Sequence, residues 1–412
     1  MRRKRPSHAR FDGITPTRIA LLSVTAILFA VAPVLAQQQQ PQQQQTMGDV
    51  LAFLLTNQSV QTGDFVKDRA AAQATSDTLS RALLATITTM PLASSSGGFT
   101  YQFNPVLGTL ERRSSTFGPF FVERALGAGA NRLALGLFAQ YSRFDRLDGN
   151  DLRNNTYITT ANKFRDESQP FDTDTLTLNM DMSTVGFSVR YGVANRLDVG
   201  AIIPFLSLSL DGQRVNTYRG TSVVQAVASA TRMGIGDVAV QAKYQALGNA
   251  GSGLAVATDI RLPTGRSEDL LGAGRASVAM LVVGSVERGP FAVHMNGGYG
   301  FGGVSDELRF GAAAAIAASP HVTIDGEVLG RRLLDVGRIT PVAFPHPTLV
   351  GVDTYRLLPE GGSTMPVFVA AGVKWNLVDE WVLDAHLLMP LASAGLTARL
   401  TPAIAIERSF GR

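Results

Sequence analysis

The stretch Gly253-Leu254-Ala255-Val256-Ala257-Thr258-Asp259-Ile260-Arg261-Leu262-Pro263 alternates from end to end. Leu254, Val256, Thr258, Ile260 and Leu262 fall on one parity, and Ala255, Ala257, Asp259 and Arg261 on the other. Side chains of an extended strand point to opposite faces in turn, so one face is apolar and the other small or charged. The segment 237–246 repeats the pattern, with Val238, Val240, Ala242 and Tyr244 against Asp237, Ala239, Gln241, Lys243 and Gln245. Near the C-terminus Leu396, Ala398, Leu400, Ile404 and Ile406 oppose Thr397, Arg399, Thr401 and Glu407. A soluble sandwich alternates as well, so the way such segments are joined decides between the two.

Along the chain twelve segments qualify: 132–146, 174–192, 196–212, 231–247, 253–263, 274–287, 290–301, 306–317, 322–334, 364–376, 380–390 and 396–410. Most are long enough to cross a bilayer when tilted. Short connections at 193–195, 248–252, 288–289, 318–321 and 377–379 alternate with longer polar ones at 147–173, 213–230, 264–273 and 335–363, with 302–305 and 391–395 as shorter exceptions on that side. Short periplasmic turns, longer extracellular loops and an even strand count are the pattern of an outer-membrane barrel. The expected fold is all-β, a transmembrane antiparallel barrel of about twelve strands over residues 132–410. Residues 97–131 are strand-rich, with 97–103, 107–113 and 118–126 as candidates. They form a periplasmic hairpin leading into the barrel, or raise the count to fourteen.

Aromatic residues supply a separate check. On this parity Tyr191, Tyr244, Phe291, Trp375, Trp381 and Phe410 fall on the lipid face near the periplasmic ends, and Tyr141, Tyr299 and Phe310 near the opposite rim. Two such girdles are expected where a barrel meets the membrane interfaces. Parity slips twice. In 174–192 the apolar set passes from Leu176, Leu178, Met180 and Met182 to Val185, Phe187, Val189 and Tyr191; in 196–212 it changes at Pro204. One extra residue at each slip predicts a β-bulge.

The N-terminus has a different character. Arg2, Arg3, Lys4, Arg5, Arg10 and Arg18 precede an apolar run from Ile19 to Ala36 that ends Val34-Leu35-Ala36. This is the form of a signal peptide, residues 1–36, cleaved after Ala36; a retained membrane helix is the alternative, disfavoured by Pro33. The whole chain carries +4 and the leader +5, leaving about −1 for the rest. The basic balance therefore belongs to the leader and gives no support for nucleic-acid binding. Residues 37–46 are a Gln-rich linker. Residues 47–96 are helical, with stripes at Val50, Phe53 and Leu54 and at Leu79, Leu83, Leu84 and Ile87, lying at the periplasmic mouth or partly plugging the barrel. With no cysteine in 412 residues, an exported chain must be stabilised without disulfides, which suits a closed barrel.

By parity the lumen receives Arg190, Asp198, Asp237, Lys243, Asp259, Arg261, His294, Arg309, Asp325, Glu327, Arg331, Lys374, Asp384, His386, Arg399 and Glu407. Both signs are present, as an ion-pair lattice or a selective solute path requires. No catalytic set emerges. His294 and His386 face inward, His321 and His346 lie in connections, and none faces lipid, as an outer-membrane phospholipase would need. Ser277 and Ser285 are inward wall residues. Neither a zinc site nor any cofactor is expected.

The run Gly234-Ile235-Gly236-Asp237-Val238-Ala239-Val240-Gln241-Ala242-Lys243-Tyr244, then Arg261-Leu262-Pro263-Thr264-Gly265 and Leu270-Leu271-Gly272-Ala273-Gly274, resembles the outer-membrane β-barrel family associated with the meta-pathway of phenol degradation. The likeness extends over 118–410 and implies a channel or transporter for small molecules, including aromatic or other hydrophobic compounds. The expected partners are outer-membrane lipid, the barrel-insertion machinery and a small-molecule solute. A structural or adhesive barrel using the loops 147–173 and 335–363 is the alternative function.

Overall fold

The computed structural model describes residues 45–56, 65–93, 98, 101–104, 109–112, 114–249, 252–378 and 380–411. The leader and most of the Gln-rich linker lie outside these residues. Twelve antiparallel strands close into a barrel: β1 Leu133–Leu147, β2 Asp172–Ala194, β3 Leu197–Tyr218, β4 Val238–Asn249, β5 Ser252–Leu262, β6 Ser277–Arg288, β7 Phe291–Gly302, β8 Glu307–Ser319, β9 Val322–Leu333, β10 Val367–Val378, β11 Trp381–Pro390 and β12 Thr401–Phe410. Closure joins β12 to β1, with Phe410 opposite Leu133. A closed sheet leaves no unpaired edge in hydrocarbon, where no water is available to satisfy it.

Lipid-facing side chains form an apolar belt. Val240, Val256, Ile260, Val282, Val293, Ile324, Val373 and Leu387 are all exposed on the outer surface. Tyr191, Tyr244, Phe291 and Trp375 are exposed near the periplasmic strand ends, and Tyr141 and Phe310 toward the other rim. The Arg408 guanidinium lies over the rings of both Trp381 and Phe410, at 5.2 and 4.6 Å from the centroids, as interfacial aromatics and cations tend to combine.

The expected bulges are absent from the pairing of β2 with β3; near Pro204 the register slips by one residue only on the other side of β3, where Ile202 faces Ala239 and Phe205 faces Ile235. Strands β2 and β3 pair in unbroken register from Asp172↔Tyr218 to Gly192↔Asp198, through Met182↔Leu208 and Gly186↔Pro204. Instead, the apolar set changes face while the backbone stays regular. Leu176, Leu178, Met180, Met182, Leu208 and Leu210 are buried on the inward face, whereas Val185, Phe187, Tyr191 and Phe205 are exposed outward. The reason is that the extracellular half of the barrel has an apolar filling. Helices α1 (Met47–Thr56) and α2 (Phe65–Thr89) pack there, away from the periplasmic mouth. Met47, Val50, Leu51, Leu54 and Leu55 of α1 and Leu79, Leu83 and Ile87 of α2 join Leu176, Leu178, Met180, Leu208 and Leu210 in one core. Burying side chains of this size contributes about 1.5–3 kcal/mol each. The Met47 N–H donates to Asp269 Oδ1 at 3.2 Å and the Leu396 N–H to Thr86 Oγ1 at 3.1 Å, fastening the helices to extracellular connections.

Several connections differ from the reading of the sequence. The segment 231–247 is not one strand. It breaks at Gly236-Asp237, and Thr221–Ile235 is a separate strand that returns along the upper part of β3. Residues 213–230 thus form a hairpin, turning at Arg219 and Gly220, both with positive φ. The long connections 147–173 and 335–363 hold strands Tyr157–Phe164, Arg338–Pro345 and Val352–Glu360, and Val352–Glu360 pairs with Tyr157–Phe164. Tyr101–Asn104 and Thr109–Arg112 form a hairpin that pairs only with itself among the described residues, so the barrel has twelve strands and not fourteen. Residues 118–126 are irregular and not a strand.

Candidate functional site

The irregular segment runs inside the barrel, along the inner wall of its periplasmic half. Its sequence, Phe117-Gly118-Pro119-Phe120-Phe121-Val122-Glu123-Arg124-Ala125-Leu126-Gly127-Ala128, holds a proline and two glycines and no polar/apolar alternation. Backbone groups without a helix or sheet must find other partners when buried. Here the inward side chains of the wall accept them. Phe117 N–H donates to Thr323 Oγ1 at 3.1 Å, Ala125 N–H to Ser285 Oγ at 2.8 Å, and Ala128 N–H to both Asp198 oxygens at 3.2 and 3.0 Å. The Glu327 carboxylate takes three consecutive amides: Phe120 at 2.6 Å, Phe121 at 3.1 and 3.0 Å, and Val122 at 2.7 Å. In the other direction, Lys243 Nζ donates to Arg124 O at 2.9 Å. Acceptors on β3, β6 and β9 therefore hold one luminal strap.

Phe120 anchors the strap by packing. Its ring stacks on His386 with centroids 4.6 Å apart, and Lys374 Nζ lies 5.5 Å from its centroid. His386 Nε2 is 3.0 Å from Asp325 Oδ2, and Lys374 is 3.3 Å from Asp384. Asp325, Glu327 and His386 present their ligand atoms within 4.8 Å of one another, a spacing at which His and carboxylate donors hold a cation. Both Glu327 oxygens, however, are taken up by strap amides. Ser285 and His294, opposite each other on β6 and β7, form a buried pair with Oγ 2.8 Å from Nδ1. Ser285 also receives the Ala125 N–H, so the pair is built into the strap's fastening.

Beside the strap is a cavity of about 150 Å³. Leu92 and Ala93, Phe121 and Val122 of the strap, and Ile202, Leu281, Leu329 and Phe368 of the surrounding wall make its apolar side. Glu123, Arg190, Asp198, Lys243, Asp259, Arg261, Arg309 and Arg331 make its charged side. Arg309 bridges Asp259 at 2.7 Å and Glu307 at 2.5 Å; Arg331 reaches Glu307 at 3.2 Å. Arg261 lies 3.8 Å from Asp259 and donates to Thr88 O at 2.7 Å, tying the end of α2 to the cavity wall.

The structure thus brings seven of the candidate residues to one cavity: Arg190, Asp198, Lys243, Asp259, Arg261, Arg309 and Arg331. His294, Asp325, Glu327, Lys374, Asp384, His386 and Glu407 are buried within the wall but do not line it. Asp237 serves another purpose, accepting from Gly265 N–H at 3.0 Å and Ala273 N–H at 2.7 Å to fix the connection 264–273. Arg399 is not luminal. It falls in a break before β12, its side chain 75% exposed, and pairs with Asp145 at 2.6 Å. Alternation in the sequence does not reveal the strap. Its one signal is an apolar, Phe-rich stretch of irregular composition following a hairpin, which resembles a weak strand.

Residues 161–324 match the family model described as "Putative MetA-pathway of phenol degradation". The match bears out the resemblance read from the sequence, over a shorter span. No curated protein matches the chain. Among solved structures, an outer membrane channel from Pseudomonas putida F1 is similar at 13% identity, covering 69% of this chain and 98% of that one, with a TM-score of 0.42. The Ralstonia pickettii toluene transporter TbuX aligns at 11% identity over 70% and 91% of the two chains, with a TM-score of 0.29. A Pseudomonas aeruginosa FadL homologue aligns at 8% identity over 68% and 90%, with a TM-score of 0.30. The closed twelve-stranded barrel with its apolar outer belt is that of a bacterial outer-membrane protein.

Proposed function

We propose that this barrel is a transport channel that carries small, largely apolar molecules across the outer membrane, one at a time, through the cavity beside the strap. The observation that carries the reading is that cavity: about 150 Å³, apolar on one side and charged on the other, between the end of α2 and the strap. Apolar cavities of about 150 Å³ hold a single aromatic ring, and binding pockets pair an apolar body with a few fixed polar groups. Helices α1 and α2 obstruct the extracellular half, so a solute enters between them and the wall and leaves by displacing the strap. Transport is favoured over catalysis because the Ser285–His294 pair is used to hold the strap and reaches no lipid.

The test is uptake of a radiolabelled single-ring aromatic by intact cells, whose lipopolysaccharide surface slows such compounds, with and without this barrel. Several-fold faster uptake with the barrel is expected. Equal rates would remove the transport reading and return weight to a structural barrel.

A further inference from the structure

Arg190 on β2 stands apart from every other cation of the cavity. It is 3% exposed, yet Nε, Nη1 and Nη2 have no hydrogen-bond partner among the described residues. Its neighbours are engaged: Lys243 with Arg124 O, Arg261 with Thr88 O, Arg309 with Asp259 and Glu307, and Arg331 with Glu307. Three acidic groups line this cavity, Glu123, Asp198 and Asp259, and Glu407 lies nearby; Glu123 pairs with Lys243 at 3.4 Å and Asp259 with Arg309. Asp198 is held by the Ala128 amide, and Glu407 exerts an electrostatic pull on Arg190 but forms no salt bridge with it. A guanidinium presents five N–H donors in a planar fork that matches a carboxylate, and leaving that fork buried and unmet is costly unless a ligand completes it.

Resting on the transport reading, we infer that the transported solute carries a carboxylate, and that Arg190 is the group that receives it. The ligand is a small monocarboxylate with a single-ring or similar apolar body. Its body lies against Leu92, Ala93, Phe121 and Leu281, and its two oxygens meet the Arg190 fork. A neutral hydrocarbon fits the same volume but leaves the fork unmet, so the site discriminates by charge as well as by shape.

The deciding experiment is calorimetric titration of the full barrel, purified in detergent, with benzoate and with toluene. Benzoate is expected to bind at least tenfold more tightly than toluene. Arg190→Met should abolish that preference while toluene binding persists, and Arg190→Lys should retain part of it. Heat-modifiable migration on gels confirms that each variant is folded; should Arg190→Met fail to fold, the wild-type comparison alone decides. Toluene binding as tightly as benzoate, or benzoate binding unchanged in Arg190→Met, overturns the anion inference and leaves the transport cavity standing. Binding of neither ligand overturns both.

Discussion

Met182 and Val185 lie three residues apart on one uninterrupted strand and point to opposite sides of the barrel wall, Met182 into the apolar filling around the helices and Val185 toward lipid. This pair marks the level at which the apolar face of β2 turns from the lumen to the outer surface. Below it the apolar face looks outward and the lumen is polar. Above it the wall behaves like that of a soluble barrel with its own core. On the outer surface close by, the Tyr141 hydroxyl donates to Asp181 Oδ1 at 2.7 Å, a polar contact suited to the aqueous boundary.

A charge placed on either side of that level should therefore have unequal effects. Val185→Lys puts an ammonium on the lipid face, at a cost of up to about 2–4 kcal/mol that declines toward the interface. Ser183→Lys, outward and two residues higher, should be nearly neutral. The folded fraction after insertion into bilayers, read by heat-modifiable migration, checks the contrast. Equal losses for both variants would mean that the boundary lies elsewhere.

Glu327 should control the strap and not the barrel. Glu327→Gln keeps one acceptor oxygen but turns an amide donor toward backbone N–H groups. Charge-assisted hydrogen bonds contribute about 1.5–3 kcal/mol each, so strap opening should rise roughly ten- to a hundredfold. Hydrogen exchange at 117–128 should speed up while exchange in β9 and β10 stays slow. Unchanged exchange in the strap would show that its amides do not depend on this carboxylate.

Leu54 joins α1 to the wall, where it is fully buried and approaches Gly212 and Leu178. Leu54→Ala should cost about 2–5 kcal/mol of helix docking. A β-carbon at Gly212 would meet Leu54 Cδ1, so Gly212→Val should displace the same helix from the opposite side. Protease cleavage within 47–56 should accelerate in both variants, with the barrel remaining folded. A helix that stays protected in both would contradict its docking by this contact.

The start of α1 carries an acid-sensitive cap. The Thr46 N–H and Oγ1–H both donate to Asp49 Oδ2 at 2.8 Å, and the Asp49 N–H donates to Thr46 Oγ1 at 3.1 Å. The Thr46 backbone hydrogen bond, followed by the side-chain one, holds the Asp49 carboxyl below its ordinary value of 3.8. A carboxyl lowered on folding stabilises the helix fully above its unfolded pKa and loses that contribution as pH falls through the folded value. Exchange protection in 47–56 should thus decline below about pH 4, and Asp49→Asn should flatten that decline. Thr46→Ala should cost about 1 kcal/mol at neutral pH. An Asp49→Asn profile that matches the parent would exclude the cap as the source.

Much of the barrel was legible because period-two alternation is a local property. Ala255, Ala257 and Asp259 face inward for the same reason that their neighbours face lipid. The face change at Met182 and Val185 was visible as well, but its cause was not. A bulge and a change of surroundings produce the same shift in apolar parity, and only the packing of α1 against Leu178 and Leu210 separates them. The strap was illegible for a related reason. Its amides are satisfied by Thr323, Glu327, Ser285 and Asp198, residues 70 to 207 positions away in the chain. No periodicity records such partners. Arg399 departs from the parity of its neighbours because the strand stops at 399–400, and alternation does not continue across a break.

A reversible lock on the strap decides whether solute passes by it. A β-carbon on Gly311 would lie 3.0 Å from Val122 Cγ2, within the range that a disulfide spans, and the chain has no cysteine of its own. In the Val122→Cys, Gly311→Cys double variant, oxidation should reduce uptake of a radiolabelled single-ring aromatic by intact cells several-fold. Reduction should restore it, and Gly311→Cys alone should show no redox effect. Undiminished uptake with the strap covalently locked would rule out passage past it, because the solute would then be crossing without moving the strap.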